Sequence, residues 1–423
     1  MGNQEPEAIK KALLRKGVDI PQPESVEIGP EVNPDRISGD GVVLHAGSRI
    51  FGTRTLILPG VKLGDEGPVT VRDCFLGRNV RLGGGLFESS CFLEGASMGP
   101  GAQIRAGCLL EERSRGAHTV GLKQTILFPY VTLGSLINFC DCLMAGGTDE
   151  KNHSEVGSSY IHFNYTPNQD KATASLIGDV PGGVMLNRPP IFLGGQGGLV
   201  GPVRIGYGVT VAAGTIVRKD LLKENTMILG QAVPLRAIPF HQGLYTNVQR
   251  LVSQNTTYIA NLIALRRWYL DVRSRFMDSE EMEKMLLEGA LEVLMAAINE
   301  RLRRFEEVAD RMPRSIEVYR SVSGKIDDPL MRKSRDLAAQ WPRMKALFLK
   351  ALDQEGDGTL KGTFLAAVDR CMAERGANYL EVIKGLNEKE AAPGTGWLQG
   401  IVDSIQKRIR DALPSFGRGR NRK

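Results

Sequence analysis

Val203-Arg204-Ile205-Gly206-Tyr207-Gly208-Val209-Thr210-Val211-Ala212-Ala213-Gly214 repeats itself after six residues, an aliphatic side chain opening each half and glycine closing it. Related blocks are Val61-Lys62-Leu63-Gly64, Cys74-Phe75-Leu76-Gly77, Val80-Arg81-Leu82-Gly83, Val131-Thr132-Leu133-Gly134, Glu155-Val156-Gly157 and Ile191-Phe192-Leu193-Gly194. Repetition in register from Ile37 to about residue 220 identifies a repeat architecture. In a triangular parallel β-helix each block makes one short strand and one corner. The aliphatic residue fills a narrow lumen and a small residue permits the bend. Such coils bury their apolar faces only by stacking on one another.

The 49 glycines and the 6% aromatic content agree with many backbone corners and few bulky core residues. A chain of 423 residues has room for two or three domains. We divide it into an N-terminal helix and linker (1–36), a β-helix (37–235), a helical domain (240–412) and a basic tail (413–423). The repeat is broken at 83–86, 111–118, 145–152 and 179–190, where loops are expected. Cys74, Cys91 and Cys108, spaced by 17 residues, are expected to stack as small hydrophobes in successive coils.

Past Pro239 glycine becomes scarce and a four-three apolar spacing begins, running through Leu244, Leu251, Tyr258, Leu265 and Val272. It predicts a helix from about 244 to 276 with a coiled-coil seam, Asn255 being the polar residue that fixes register. A second long helix, antiparallel to the first, should start after Asp278-Ser279-Glu280-Glu281 and end at Pro313. Further helices are expected at 329–352, 360–375 and 397–412. Asp353-Gln354-Glu355-Gly356-Asp357-Gly358 resembles the start of a calcium loop but has Phe364 where a bidentate glutamate is required, so it is read as a turn between helices. The tail from Gly417, with Arg418, Arg420, Arg422 and Lys423, should be disordered.

The net charge of +6 is small for this length and argues against a nucleic-acid partner. The cysteines form no C-x-x-C pair, no apolar run is long enough to span a membrane, and the first residues lack a secretory pattern. The expectation is a cytoplasmic protein without a metal site, since the loose His153 and His162 pair is a poor zinc ligand set.

Ile104-Arg105-Ala106-Gly107, Glu155-Val156-Gly157-Ser158-Ser159-Tyr160-Ile161-His162-Phe163-Asn164-Tyr165 and the stretch from Gly201 to Thr215 resemble the acetyltransferase half of the bacterial bifunctional N-acetylglucosamine-1-phosphate uridyltransferases/glucosamine-1-phosphate acetyltransferases, a hexapeptide-repeat family. The resemblance covers about a third of the chain, residues 103–231. It implies a left-handed parallel β-helix, here followed by an all-α domain with long antiparallel helices, and a homotrimer with clefts between subunits. It also implies acetyl-CoA or another acyl-CoA as co-substrate and a sugar phosphate or nucleotide sugar as partner. Arg105 and Lys123 fall where the family binds the sugar phosphate, a role suited to a guanidinium fork and an ammonium. Asn164 and Tyr165 fall on its Asn-Tyr pair, and Lys171 lies one residue beyond its sugar-binding lysine. Ser158, Tyr165, Gly195 and Ala213 are expected to line the coenzyme.

The same resemblance places the family's basic histidine on Ser135, a tyrosine on Asn138, an asparagine on Glu155 and a serine on Gly195. A serine hydroxyl is no general base at neutral pH without a partner to take its own proton. His153, His162 and Glu155 are then the candidates to accept the proton, and a catalytically silent binder of nucleotide sugars is the alternative. His118, in the broken stretch beside Lys123, belongs to the same set. The uridyltransferase half would need a nucleotide-binding domain with a Gly-Thr-Arg loop. Gly52-Thr53-Arg54 sits instead inside a repeat block, so nucleotidyl transfer is not expected, even where a name derived from the family would suggest it.

Overall fold

The computed structural model describes residues 6–230, 234–324 and 328–416. It is a parallel β-solenoid followed by helices. One face is a ladder of ten parallel strands, among them Leu63, Leu82, Leu133, Val156, Leu193 and Val211 as consecutive or near-consecutive inward residues. A second face climbs through Arg49–Phe51, Val69–Arg72, Gly85–Glu88 and Ala102–Ile104, and already includes Glu27–Ile28 ahead of the repeat. The third runs through Leu56–Ile57, Phe75–Leu76, Cys91–Phe92 and Leu109–Leu110. Two long strands, Gly121–Leu127 and Asn138–Met144, bend around the corner between the second and third faces and belong to both.

Two expected breaks are absent. Residues 111–118 complete a regular coil, with Met98 paired to Gly116 and Gly116 to Leu133. The repeat looked interrupted because Gly116 lacks an aliphatic side chain, and the Met98 thioether occupies that space, Sδ lying 2.6 Å from where a Cβ would be. Gly83 to Leu86 likewise stays in register, Leu82 pairing with Met98. The real insertions interrupt the next coils. One holds the hairpin Gly147–Asp149 with Asn152–His153, a second is the segment between Phe163 and Ser175, and a third, after the regular strand Ser175–Ile177, carries the short helix at 180–183.

The cysteine spacing also misleads by one position. Cys91 pairs with Phe75 and Leu109 on the third face, whereas Cys74, Ser90 and Cys108 follow one another through their backbone hydrogen bonds. Cys74, Ser90, Thr125 and Cys142 each direct a thiol or hydroxyl to the carbonyl two residues earlier, so small polar side chains are satisfied locally at a buried corner.

Helix α1 (Pro6–Lys16) precedes the solenoid and α2 (Val180–Gly183) lies within it. After it come α3 (Val248–Asp271), α4 (Glu281–Ser323), α5 (Pro329–Ala351), α6 (Gly358–Arg375), α7 (Tyr379–Gly385) and α8 (Glu388–Asp411). Helix α4 passes through Pro313 instead of ending there. Its packed face continues as Met312, Ser315 and Ile316, and Ser315 Oγ accepts a hydrogen bond from the Tyr245 amide, so tertiary packing offsets the bond that proline removes. Helix α8 begins nine residues earlier than the sequence suggested, at the Asn387 capping box. Asp357 caps α6 by accepting from the amides of Thr359 and Leu360, which makes the calcium-like segment a helix start. The basic tail from Gly417 lies outside the described residues.

Asn255 fixes no coiled-coil register. Its Nδ2 donates to the carbonyl of Ala172 in the solenoid insertion, 3.1 Å away. Helix α3 is buried continuously from Gln254 to Leu265 because the solenoid lies on one side and α4, α5 and α8 on the others. Against the third face, Gly289 of α4 meets the ring of Phe75, an approach that leaves no room for a Cβ, which would lie 2.3 Å from ring carbons. The helices thus cover one face of the prism and leave the other two. Among the described residues no helix is long and apolar enough to cross a membrane.

Candidate functional site

The second face carries several of the candidate side chains in a ladder. Lys123 is paired with Cys140, and the amide of Arg105, one rung below Lys123, bonds the Leu122 carbonyl, so Arg105, Lys123 and Cys140 follow one another on the outer surface. Arg105 Nη2 lies 4.0 Å from Cys140 Sγ, which is 3.9 Å from Asn138 Oδ1. Two cations on adjacent rungs, about 4.8 Å apart along the axis, form a surface suited to a phosphate. Burial pushes the half-buried Cys140 thiol up, and the neighbouring Asp141 adds to this; Arg105 and Lys123 act in the opposite sense.

The corner between the first and second faces gathers a different group. The amide of Ser159 bonds the Ser135 carbonyl (2.8 Å), that of Gln196 the Ser158 carbonyl (2.8 Å), and that of Gly214 the Gly195 carbonyl (2.9 Å). Ser135, Ser158, Gly195 and Ala213 therefore occupy the same position on successive coils. The Ser158 hydroxyl also accepts from the Ser135 amide at 3.2 Å. This corner adjoins Asn138, which pairs with Gly121 on the second face.

Asn164 stands at the opposite end of that face with both ends of its amide engaged. Nδ2 donates to Asp141 Oδ2 (3.2 Å) and Oδ1 accepts from the Thr173 hydroxyl (2.9 Å). Asp141 is itself buried at a corner with φ +60° and is held by Arg301 of α4, Nη2 to Oδ1 2.6 Å. Burial raises the Asp141 carboxyl and Arg301 opposes the rise. Tyr165 projects into solvent, 67% exposed. Lys171 is exposed, and its carbonyl accepts from Arg301 Nη1 at 3.3 Å. The inserted segment is clamped further by Tyr245, whose hydroxyl donates to Asp170 Oδ2 at 2.9 Å, and by Arg311, which bonds the Asn168 carbonyl.

His162 does not belong to this surface. The alternation of its strand turns it into the lumen, paired with Leu199 and only 4% exposed, where Nε2 meets the Ser175 hydroxyl at 2.7 Å. Burial lowers its pKa to about 4, so it is a neutral core side chain that no substrate reaches, and the expectation that it takes a proton from substrate is withdrawn. His153 and Glu155 lie at the other edge of the first face. His153 Nδ1 is 2.8 Å from the Glu150 carbonyl, which selects the tautomer with Nδ1 protonated, and Nε2 is 3.9 Å from Glu155 Oε2.

The buttress from α4 was not foreseen, because nothing in the spacing of Arg301 relates it to Asp141, 160 residues earlier. Nor was the placement of His118, which the ladder sets one coil below Ser135. Among the described residues no group of three metal-ligating side chains converges.

No protein-family profile matches the chain. It is similar to proteins named bifunctional protein GlmU. The relative from Thermotoga petrophila is 27% identical over 214 residues, covering 49% of this chain and 41% of that protein. Those from Burkholderia multivorans and Nitratidesulfovibrio vulgaris are 30% identical over 205 residues and 27% over 244, covering 44% and 56% of this chain. The chain spans about two fifths of the length of these relatives. The resemblance expected from the repeat and the Asn-Tyr element is thus found, and over about half its length the chain is homologous to the bifunctional GlmU proteins.

Proposed function

We propose that the protein is a hexapeptide-repeat acyltransferase of amino-sugar metabolism, moving an acyl group from acetyl-CoA or another acyl-CoA to the amine of an amino sugar phosphate or nucleotide sugar. The observation that carries this reading is the Arg105–Lys123 pair on one face beside a corner of small residues, Ser135, Ser158, Gly195 and Ala213. The cations bind the phosphate. The corner, with little side chain at Gly195 and Ala213, gives a coenzyme arm a flat strip along the solenoid. Asn138 and Tyr165 border the acceptor, Lys171 reaches it from the inserted segment, and Asn164 sets the corner from which Tyr165 projects.

The working form is a homotrimer. Leu136, Ile161, Phe163, Phe192 and Ile216 are exposed apolar side chains on the two faces that the helices leave uncovered, and subunit contact there would bury them beside the site. The relatives' second activity, where their name implies one, is not carried over to this chain.

A second reading has one observation in its favour. Ser135 stands where the resemblance places the family's basic histidine and offers no base, as in a cleft kept for binding alone. The test is to supply acetyl-CoA with a panel of amino sugar phosphates and nucleotide sugars and follow thiol release. Release with one acceptor supports the enzyme. Nucleotide-sugar binding without release from any acceptor supports the silent binder.

A further inference from the structure

The acyl-transfer reading needs a group that removes a proton from the acceptor amine, and the corner residue Ser135 cannot supply it. Resting on that reading, we infer that His118 is the general base. The Leu136 amide bonds the His118 carbonyl at 3.2 Å, as the Ser159 amide bonds Ser135 one coil later. The strand register agrees, since Arg115 and Gly116 pair with Thr132 and Leu133. His118 therefore occupies the same corner position as Ser135, Ser158, Gly195 and Ala213, displaced by one rung, about 4.8 Å along the axis. It also lies on the same coil as Lys123, one end of whose strand, Gly121, pairs with Asn138.

The other four histidines fit less well. His162 is sealed in the lumen. His45 follows a first-face strand four ladder steps before the coil of His118. His241 lies in the connector to the helices. His153 is oriented towards Glu155 at the far edge of the first face, away from the corner. His118 is exposed, so a substrate on the second face can reach it, and its Nδ1 lies 3.3 Å from the Thr119 hydroxyl. With Nδ1–H donating to that oxygen, Nε2 keeps its lone pair for the incoming proton.

The step balances without any further reactant. The acceptor amine attacks the thioester carbonyl carbon, forming the C–N bond while its proton passes to His118 Nε2. Collapse of the tetrahedral intermediate breaks the C–S bond, and the departing thiolate takes that proton back from the imidazolium. The products are an amide and free coenzyme A, with His118 neutral again.

The test compares the full-length wild type, His118→Ala, His118→Gln and His153→Ala for thiol release from acetyl-CoA across pH, with melting temperatures as a check on folding. The expected result is a loss of roughly 10²- to 10⁴-fold in kcat in both His118 variants. Their KM for acetyl-CoA should change little, melting should be unaltered, and the acid limb of the kcat/KM profile should vanish. Wild-type turnover in His118→Ala, or loss of the acid limb in His153→Ala instead, overturns the inference while leaving the acyltransferase reading intact. Absence of release by the wild type with every acceptor overturns that reading, and the assignment of His118 with it.

Discussion

Arg301 on α4 holds Asp141 at a solenoid corner, Nη2 to Oδ1 2.6 Å, and both side chains are buried. The same carboxylate accepts from Asn164, and the same guanidinium holds the Lys171 carbonyl, so a helix outside the repeat fixes the Asn-Tyr segment. Removing one partner of a buried pair leaves a charge without compensation, at a cost of about 3–5 kcal/mol. Arg301→Met should therefore lower stability by that order in chemical denaturation. Combining it with Asp141→Asn should cost less than the two single changes together. Ligand binding should weaken in Arg301→Met, because Asn164 and Lys171 lose their common support.

The docking of helices on the solenoid has its own test. Gly289 lets α4 lie on the Phe75 ring, whose centroid is also 5.3 Å from the Arg54 guanidinium. Gly289→Val forces the helix away from the third face and should destabilise the protein by about 1–3 kcal/mol, as overpacking does. Shortening the ring with Phe75→Ala in the same chain should recover part of that loss, which a melting series of the single and double variants would show.

Much of this docking is visible in the sequence. On the third face the strands carry apolar doublets, Leu56-Ile57, Phe75-Leu76, Leu109-Leu110, Ile126-Leu127 and Leu143-Met144, where a face open to water would alternate with polar residues. One of each pair fills the lumen and the other meets the helices. By contrast the lumen residues were legible because Val61-Lys62-Leu63-Gly64, Val80-Arg81-Leu82-Gly83, Val131-Thr132-Leu133-Gly134 and Ile191-Phe192-Leu193-Gly194 share one local pattern, whatever the insertions between them. Gly116 defeated the pattern because its place is filled by Met98 from the neighbouring coil, a compensation that only three dimensions reveal. The Asn255 seam failed for a similar reason, since an apolar stripe at four-three spacing says that a helix face is buried but not by what. At the site, Lys123 and Asn164 stood out through their neighbours in the sequence. Arg301 did not, and the corner position of His118 was hidden, because both come from contact with a chain segment or coil that spacing does not reach.

Two buried groups should give stability opposite dependences on pH. Glu111 accepts from the Tyr269 hydroxyl at 2.6 Å beneath the helices, and burial raises its pKa to about 7. The folded state then holds a proton that the unfolded chain has lost, so its contribution is full below the ordinary carboxyl value near 4.5 and fades as pH rises through about 7. For His162, lowered to about 4, the contribution is full above the ordinary value of 6.5 and is lost as pH falls through about 4. Glu111→Gln should thus raise stability at pH 8 relative to the wild type and have little effect at pH 4. Denaturant titrations of the variant and the wild type at both pH values check this, since the His162 contribution is common to the two proteins.

The cation pair makes the most direct prediction about recognition. A charge-assisted hydrogen bond to phosphate contributes about 1.5–3 kcal/mol, so Lys123→Ala should weaken binding of an amino sugar phosphate by about 10- to 100-fold. Arg105 is the more exposed of the two, and its loss should cost less in 0.15 M salt than at low ionic strength, where screening is weak. Tyr165→Ala removes a side chain that touches little of its own chain, so stability should stay within about 0.5 kcal/mol while affinity falls. Calorimetric titration of the four proteins, wild type included, at two salt concentrations checks the affinities, and denaturant unfolding of Tyr165→Ala checks its stability. Unchanged affinity in both Lys123→Ala and Tyr165→Ala would show that the ligand binds elsewhere, and the second face would then be one more covered surface of the assembled solenoid.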